Sequence, residues 1–192
     1  MRIIGGTARG LHLAAVGAGD QAAHLRPTSD RVRESIFNLL INGKLFGGPG
    51  ANPVTGARVL DLFAGTGALG LEALSRGAAH ATFVDDGTAA RALLRRNIEL
   101  MRAMGLTDIY RRDVTQMGLN RAPGYELIFL DPPYGKSLGE AALASCIAGG
   151  WIAPGALLVW EESSPPMPPQ GFELLDQRKY GETLITILKA PA

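Results

Sequence analysis

Arg58-Val59-Leu60-Asp61-Leu62-Phe63-Ala64-Gly65-Thr66-Gly67-Ala68-Leu69-Gly70 decides the fold. Its first six residues are mostly apolar, broken internally only by Asp61, and read as a buried strand. Glycines follow at Gly65, Gly67 and Gly70, and Ala68 to Arg76 reads as a helix closed by Gly77. A strand that turns through glycines into a helix lets a ligand approach the backbone at the strand's carboxyl end.

Outward from this unit the pattern repeats. Ala81 to Val84 predicts a strand, Thr88 to Met104 a helix, and Ile109 to Arg111 a short strand. Glu126 to Leu130 predicts a fourth strand, Leu138 to Ala148 a helix, and Ala156 to Trp160 a fifth strand. Alternation of strand and helix implies a mostly parallel sheet covered on both faces. The end departs from it: Phe172 to Tyr180 and Glu182 to Leu188 flank Gly181, and strands so close in sequence pair antiparallel. The expectation is an α/β, Rossmann-like seven-stranded sheet finished by an antiparallel hairpin, as in class I methyltransferases. Before it, Arg2-Ile3-Ile4 and Leu11-His12-Leu13 suggest a small β-hairpin. A helix then starts near Arg26-Pro27-Thr28, with Thr28 as N-cap, and stops at Asn42-Gly43. Gly47 to Pro53 reads as a linker, so residues 1–50 form an extension and 51–192 the main domain.

Composition narrows the class. The 192 residues are 46% hydrophobic and 19% charged, enough for a core and unlike a disordered chain. One cysteine, Cys146, leaves no internal disulfide and no cysteine zinc site, and its apolar neighbours predict a buried thiol. His12, His24 and His80 are far apart, so no metal is expected. No apolar run reaches about 18 residues, and the N-terminus has no signal-peptide core, which predicts a soluble cytoplasmic protein, no membrane partner and a monomer. Net charge is +1, but residues 1–50 carry six basic against three acidic residues. Arg9, Arg26, Arg31 and Arg33 are therefore candidate phosphate contacts if the chain acts on nucleic acid.

Gly65-Thr66-Gly67-Ala68-Leu69-Gly70 matches the G-x-G-x-x-G fingerprint, and Asp85 follows Gly65 by 20 residues. That combination indicates an adenosine-containing cofactor without saying which. Asp61 at the strand end favours a cationic amino-acid group over a pyrophosphate, which it would repel; its alternative role is to hold loop amides. Asp85 is the choice for the ribose hydroxyls, with Asp86 capping the next helix. Asp113 is a candidate for the adenine amine beside apolar Val114, or a loop-capping carboxylate. A side chain at Gly67 is expected to fill space the cofactor needs.

Asp131-Pro132-Pro133-Tyr134 follows the fourth strand and so falls beside the glycine turn. An exocyclic base amine is planar, conjugated and a poor nucleophile. The Asp131 carboxylate and the Pro132 carbonyl can each accept one of its hydrogens, which exposes a lone pair. Tyr134 can stack on the extracted base, an interaction worth about 1–3 kcal/mol. Methyl transfer to such an amine needs no metal and no covalent enzyme intermediate; positioning is the main resource.

At these residues the sequence resembles the RsmD-type family of bacterial 16S ribosomal RNA guanine-N2 methyltransferases. The resemblance is carried by Asp61 to Gly77, by Arg2-Ile3-Ile4-Gly5-Gly6 with Arg9-Gly10, by Arg26 to Asn38, and by Asp131-Pro132-Pro133-Tyr134. It implies S-adenosylmethionine held by Asp61, Ala64, Gly65, Thr66, Gly67, Asp85, Asp113 and Val114. It also implies a guanosine of 16S ribosomal RNA, in an assembling small subunit, as acceptor. Where the family usually shows Glu for the ribose, this chain has Asp85. Three rival readings are an adenine-N6 DNA or RNA methyltransferase, a non-catalytic RNA-binding assembly protein, and an NAD-dependent oxidoreductase. The last leaves Asp61, the Pro-Pro-Tyr motif and the C-terminal hairpin unexplained.

Overall fold

The computed structural model describes residues 1–14, 28–42 and 51–192. Arg26 and the expected linker at Gly47 to Gly50 lie outside the described residues. The elements are α1 (Asp30–Asn42), β1 (Arg58–Leu62), α2 (Ala68–Ser75), β2 (His80–Val84), α3 (Thr88–Leu100) and β3 (Thr107–Tyr110). They continue with β4 (Tyr125–Leu130), α4 (Leu138–Ala148), β5 (Ile152–Glu162), β6 (Glu173–Tyr180) and β7 (Thr183–Lys189). One seven-stranded sheet runs β3-β2-β1-β4-β5-β7-β6. The pairs among β1 to β5 are parallel, and β7 lies antiparallel to both β5 and β6. This is the expected Rossmann-like sheet with its terminal hairpin.

The strands bury both faces because successive side chains point to opposite sides. Val59, Phe83, Leu127, Phe129, Val159 and Ile187 face a core built with α1, α2 and α3. Leu60, Leu62, Ile128, Leu130, Leu158 and Trp160 face a second core with α4. Cys146 sits in that second core as a buried free thiol, its pKa pushed up to about 12 by burial. β6 forms the outer edge and is mostly exposed, carrying Glu173, Asp176, Arg178 and Lys179, charges that discourage further strand pairing.

The N-terminal segment belongs to the same core. Arg2 and His12 form an antiparallel bridge, with the Ile3 amide donating to the Leu11 carbonyl at 2.9 Å. Ile3 and Leu13 pack in the cluster that holds α1 to α3. Glu72 of α2, fully buried, accepts from the amides of Ile4 and Gly5 at 2.8 Å each and from Arg76 Nε at 2.8 Å. Ser75 donates to the Gly5 carbonyl at 2.6 Å, and Asn97 of α3 accepts from the Ala14 amide at 2.7 Å. The extension is thus laid along α2 and α3, fixed by buried polar side chains whose loss would leave amides unpaired.

Three sequence expectations need correction here. The N-cap of α1 is Ser29, whose Oγ accepts from the Val32 amide at 3.3 Å; Thr28 is turned toward the sheet instead. Asp86 caps nothing among the described residues: Gly87 is the N-cap residue of α3, and the Gly87 amide donates to Asp85 Oδ1 at 2.8 Å. β5 starts at Ile152, four residues early, because a register shift opposite Tyr125/Leu127 and Gly155 at φ 71° carry the strand past Pro154.

Candidate active site

The sheet order reverses between β1 and β4: from β1 the chain goes outward to β2 and β3, and from β4 the other way to β5. Helices leave the two carboxyl ends on opposite faces, so a crevice opens there. Both motifs singled out in the sequence flank it. The glycine turn follows β1, and Asp131-Pro132-Pro133-Tyr134 follows β4, with the Asp131 amide 3.5 Å from the Leu62 carbonyl.

Three alternate backbone positions shape the turn. Phe63 and Gly65 have φ of 57° and 54°, and Gly67 has φ 76°, so the chain passes through the left-handed region before α2 begins. Asp61 is 2% exposed and its Oδ2 accepts from the Gly70 amide at 2.9 Å. Among the described residues no cation pairs with it. Burial, with nearby Asp85 adding to it against the Gly70 hydrogen bond, pushes its pKa up to about 8. A buried carboxylate in that condition favours a cationic ligand group.

Asp85 at the end of β2 holds the turn from the other side. Its Oδ2 accepts from the Gly65 amide at 2.9 Å and its Oδ1 from Gly87, while burial raises its pKa. Arg91 closes behind it onto the carbonyls of Asp85 and Asp86. Asp86 is exposed, so of the adjacent pair Asp85 is the one built into the loop. Asp113 caps the turn at Val114: its Oδ1 accepts from the amide and hydroxyl of Thr115 at 2.9 and 2.7 Å, and these bonds lower its pKa. Val114 beside it is buried. Ala64 and Thr66 are buried within the turn, Ala64 donating to the Val84 carbonyl at 3.1 Å.

Gly67 is also constrained by the core. A Cβ there would lie 2.3 Å from Leu94 Cδ1 and 3.3 Å from Phe83 Cε1, which are core atoms. Gly67→Val is therefore expected to lower stability first. The left-handed backbone alone costs a non-glycine residue about 1–2 kcal/mol. A melting scan without cofactor checks this; an unchanged midpoint with lost cofactor affinity would return Gly67 to the ligand.

After β4, Pro132 is buried, Pro133 exposed, and Tyr134 half-buried. Tyr134 is held by its hydroxyl, which donates to Glu161 Oε1 at 2.7 Å and lies 3.2 Å from Thr183 Oγ1. Asp131 is half-buried as a residue with its carboxyl enclosed, and Thr28 Oγ1 lies 3.4 Å from its Oδ2. Burial first, then the charges of Glu161 and Asp61, raise the Asp131 pKa well above the ordinary carboxylate range. Glu161 and Glu162 close β5, are 6% and 7% exposed, and were not singled out in the sequence. Two acids ending an apolar strand (Leu157 to Trp160) were the available signal.

The candidate RNA contacts separate. Arg9 and Arg31 are exposed and form no ion pair among the described residues. Arg33 is withdrawn: it is fully buried, and its Nη2 donates to the Arg2 carbonyl at 2.5 Å and to Asp30 Oδ1 at 2.9 Å. It ties α1 to the N-terminal bridge and presents nothing to a phosphate.

An open sheet in this order, its acidic strand ends gathered round a glycine turn and an Asp-Pro-Pro-Tyr loop, defines a Rossmann-like methyltransferase. Comparison with known proteins makes this specific. The family model described as conserved hypothetical protein 95 matches residues 1–189, and the chain belongs to that family, the RsmD family. Ribosomal RNA small subunit methyltransferase D of Escherichia coli K12 is 33% identical, over 100% of this chain and 91% of the relative. Its namesake in Haemophilus influenzae is 30% identical over 94% and 89%. Among solved structures, Escherichia coli yhhF aligns with TM-score 0.80 at 33% identity, covering 100% of this chain and 98% of that one. Thermus thermophilus TTHA0928 aligns with TM-score 0.71 at 28% identity, covering 100% and 99%.

Proposed function

We propose that this protein transfers a methyl group from S-adenosylmethionine to the exocyclic N2 amine of a guanosine in 16S ribosomal RNA. The observation that carries the reading is the juxtaposition of Asp131 and an anchored Tyr134 with the carboxylate-lined turn across the β1–β4 crevice. Family membership and the small-subunit ribosomal RNA activity in the relatives' names support the choice of RNA. The turn fits the cofactor by its own chemistry: Asp61 is a buried carboxylate with no cation paired to it among the described residues, and Asp85 offers an acidic strand end beside Gly65. Asp61, Ala64, Gly65, Thr66, Gly67, Asp85, Asp113 and Val114 would hold it, with Asp61 facing its ammonium group. When bound, it supplies an electrophilic methyl group on a sulfonium.

The chain's residues do the rest. The Asp131 carboxylate and the Pro132 carbonyl accept the two amine hydrogens, and Tyr134 supports the base plane. Residues 1–50 act as the RNA-binding extension of the 51–192 catalytic domain, in a monomer working in the cytoplasm on an assembling small subunit. No helix among the described residues is long and apolar enough to cross a membrane. Labelled cofactor incubated with total RNA, ribosomal subunits and DNA tests the whole reading, with nucleoside analysis of the product. Label in adenine-N6 or in DNA would overturn it.

Arg9 and Arg31 carry the RNA part. Thr28 contacts the Asp131 loop and α1 starts two residues later, so Arg31 stands in the turn of helix nearest the site. Arg9→Ala or Arg31→Ala is expected to weaken RNA binding and flatten the log-affinity against log-salt slope by about 0.7–0.9 per charge removed. Their melting temperatures should match the parent protein. Unchanged slopes would move the RNA to the exposed loop around Lys136.

A further inference from the structure

Glu161 is buried, yet no Lys, Arg or His pairs with it among the described residues. Its partners are two hydroxyls. Oε1 accepts from Tyr134 Oη at 2.7 Å and Oε2 from Thr28 Oγ1 at 3.1 Å. Each partner leads to the Asp-Pro-Pro-Tyr loop: Tyr134 is its last residue, and Thr28 also lies 3.4 Å from Asp131 Oδ2. A carboxylate that costs this much desolvation without a counter-charge among the described residues adds little to stability. What it does supply is orientation, since hydrogen bonds to a charged acceptor are shorter and stronger than neutral ones.

We propose that Glu161 is a positioning residue for methyl transfer, fixing the Tyr134 ring through its hydroxyl and meeting the Asp131 carboxyl across the Thr28 hydroxyl, whose one hydrogen the two acids share. The inference rests on the base-amine reading above. A stacking ring and a hydrogen-bond acceptor must be aligned to the same base at once, and a displacement of about 1 Å can cost about 10²-fold in rate. Glu161 is the one group joined to both sides of that seat by the hydrogen bonds just described. Thr28 also stands at the entry to α1, so the segment that would hold RNA meets the reacting loop at this carboxylate.

The test compares Glu161→Ala, Glu161→Gln, Tyr134→Phe and the two Glu161/Tyr134 double variants. Single-turnover methyl transfer to small-subunit particles is read beside S-adenosylhomocysteine affinity and melting temperature. Glu161→Ala is expected to slow transfer about 10²-fold at saturating substrate, with KM for the particle changing less than about threefold. Glu161→Gln should recover at least about tenfold of that loss, because its amide oxygen still accepts from Tyr134. Adding Tyr134→Phe should slow Glu161→Ala little further, since both remove the same bond. Full activity in Glu161→Ala, no recovery in Glu161→Gln, or additive losses overturn the proposal. Should Glu161→Ala fail to fold, the isosteric Glu161→Gln and Tyr134→Phe pair decides by the same non-additivity. If the wild-type protein labels another acceptor, the RNA reading fails alone, and the series is run on that acceptor. If it labels none, both fail.

Discussion

Asp131→Ala is expected to turn over about 10²–10³ times more slowly than the wild-type protein while binding S-adenosylhomocysteine with nearly unchanged affinity. The separation follows from placement. Asp131 stands at the end of β4, whereas the acids of the turn stand at the ends of β1 and β2. Asp131→Asn is the informative companion. A methylated base nitrogen is transiently cationic and sheds its proton readily, so an acceptor of hydrogen bonds suffices and Asn should keep measurable activity. Asn kinetics no better than Ala would assign Asp131 an obligatory carboxylate role. The structure adds a second readout. The Asp131 carboxyl is enclosed near Glu161, Asp61 and Glu162, and burial and these charges push its pKa up. An amide there carries no charge at any pH and so meets no repulsion, and Asp131→Asn should melt no lower than the wild-type protein. Lower activity with equal or higher stability marks a group kept for chemistry.

Much of this arrangement was legible because it rests on local patterns. Alternation in Val59-Leu60 and Ile128-Phe129 sends neighbours to opposite cores, and α4 has the very bounds its sequence suggested, Leu138–Ala148. Asp61 and the Asp-Pro-Pro-Tyr loop could be placed from strand ends alone. The misreadings share a physical cause: a polar side chain had two partners in reach, and tertiary contacts chose. Thr28 and Ser29 are both competent N-caps, but Thr28 has Glu161 within 3.1 Å, leaving the cap to Ser29. Arg33 looked like part of a basic surface, but its place on the buried face of α1 with Ile36, Phe37 and Leu40 took it inside. Two of its nitrogens, Nε and Nη1, have no hydrogen-bond partner among the described residues, and desolvation lowers its pKa. The packing of Gly67 against Leu94 is not legible locally, because the two residues are 27 positions apart in the chain. The role of Glu161 is not legible locally, since its partners lie 27 and 133 residues away.

Stability of the cofactor-free protein is expected to fall steadily as pH rises from about 4 to about 8. Asp61 sets the sign. Its folded pKa is pushed up to about 8 by burial, from an ordinary value of 3.8. Below about pH 4 both states hold the proton, and the contribution is fully present. As pH rises the unfolded chain loses its proton while the folded protein keeps it, so unfolding becomes easier until the folded pKa is passed. One such group gives a slope approaching about 1.4 kcal/mol of stability lost per pH unit. Asp85, Asp131 and Glu161 are raised as well and act in the same direction. Exposed Asp113 is lowered by its Thr115 bonds and acts weakly in the opposite sense. Urea midpoints between pH 5 and pH 8 check this, and Asp61→Asn should flatten the curve, since its amide oxygen can still accept from Gly70. A ligand ammonium beside Asp61 favours the carboxylate, so binding expels the proton. S-adenosylhomocysteine should therefore bind more tightly at pH 8 than at pH 6, and restore part of the stability lost there. The same pH dependence of affinity in Asp61→Asn would show that the ligand's cationic group is held elsewhere.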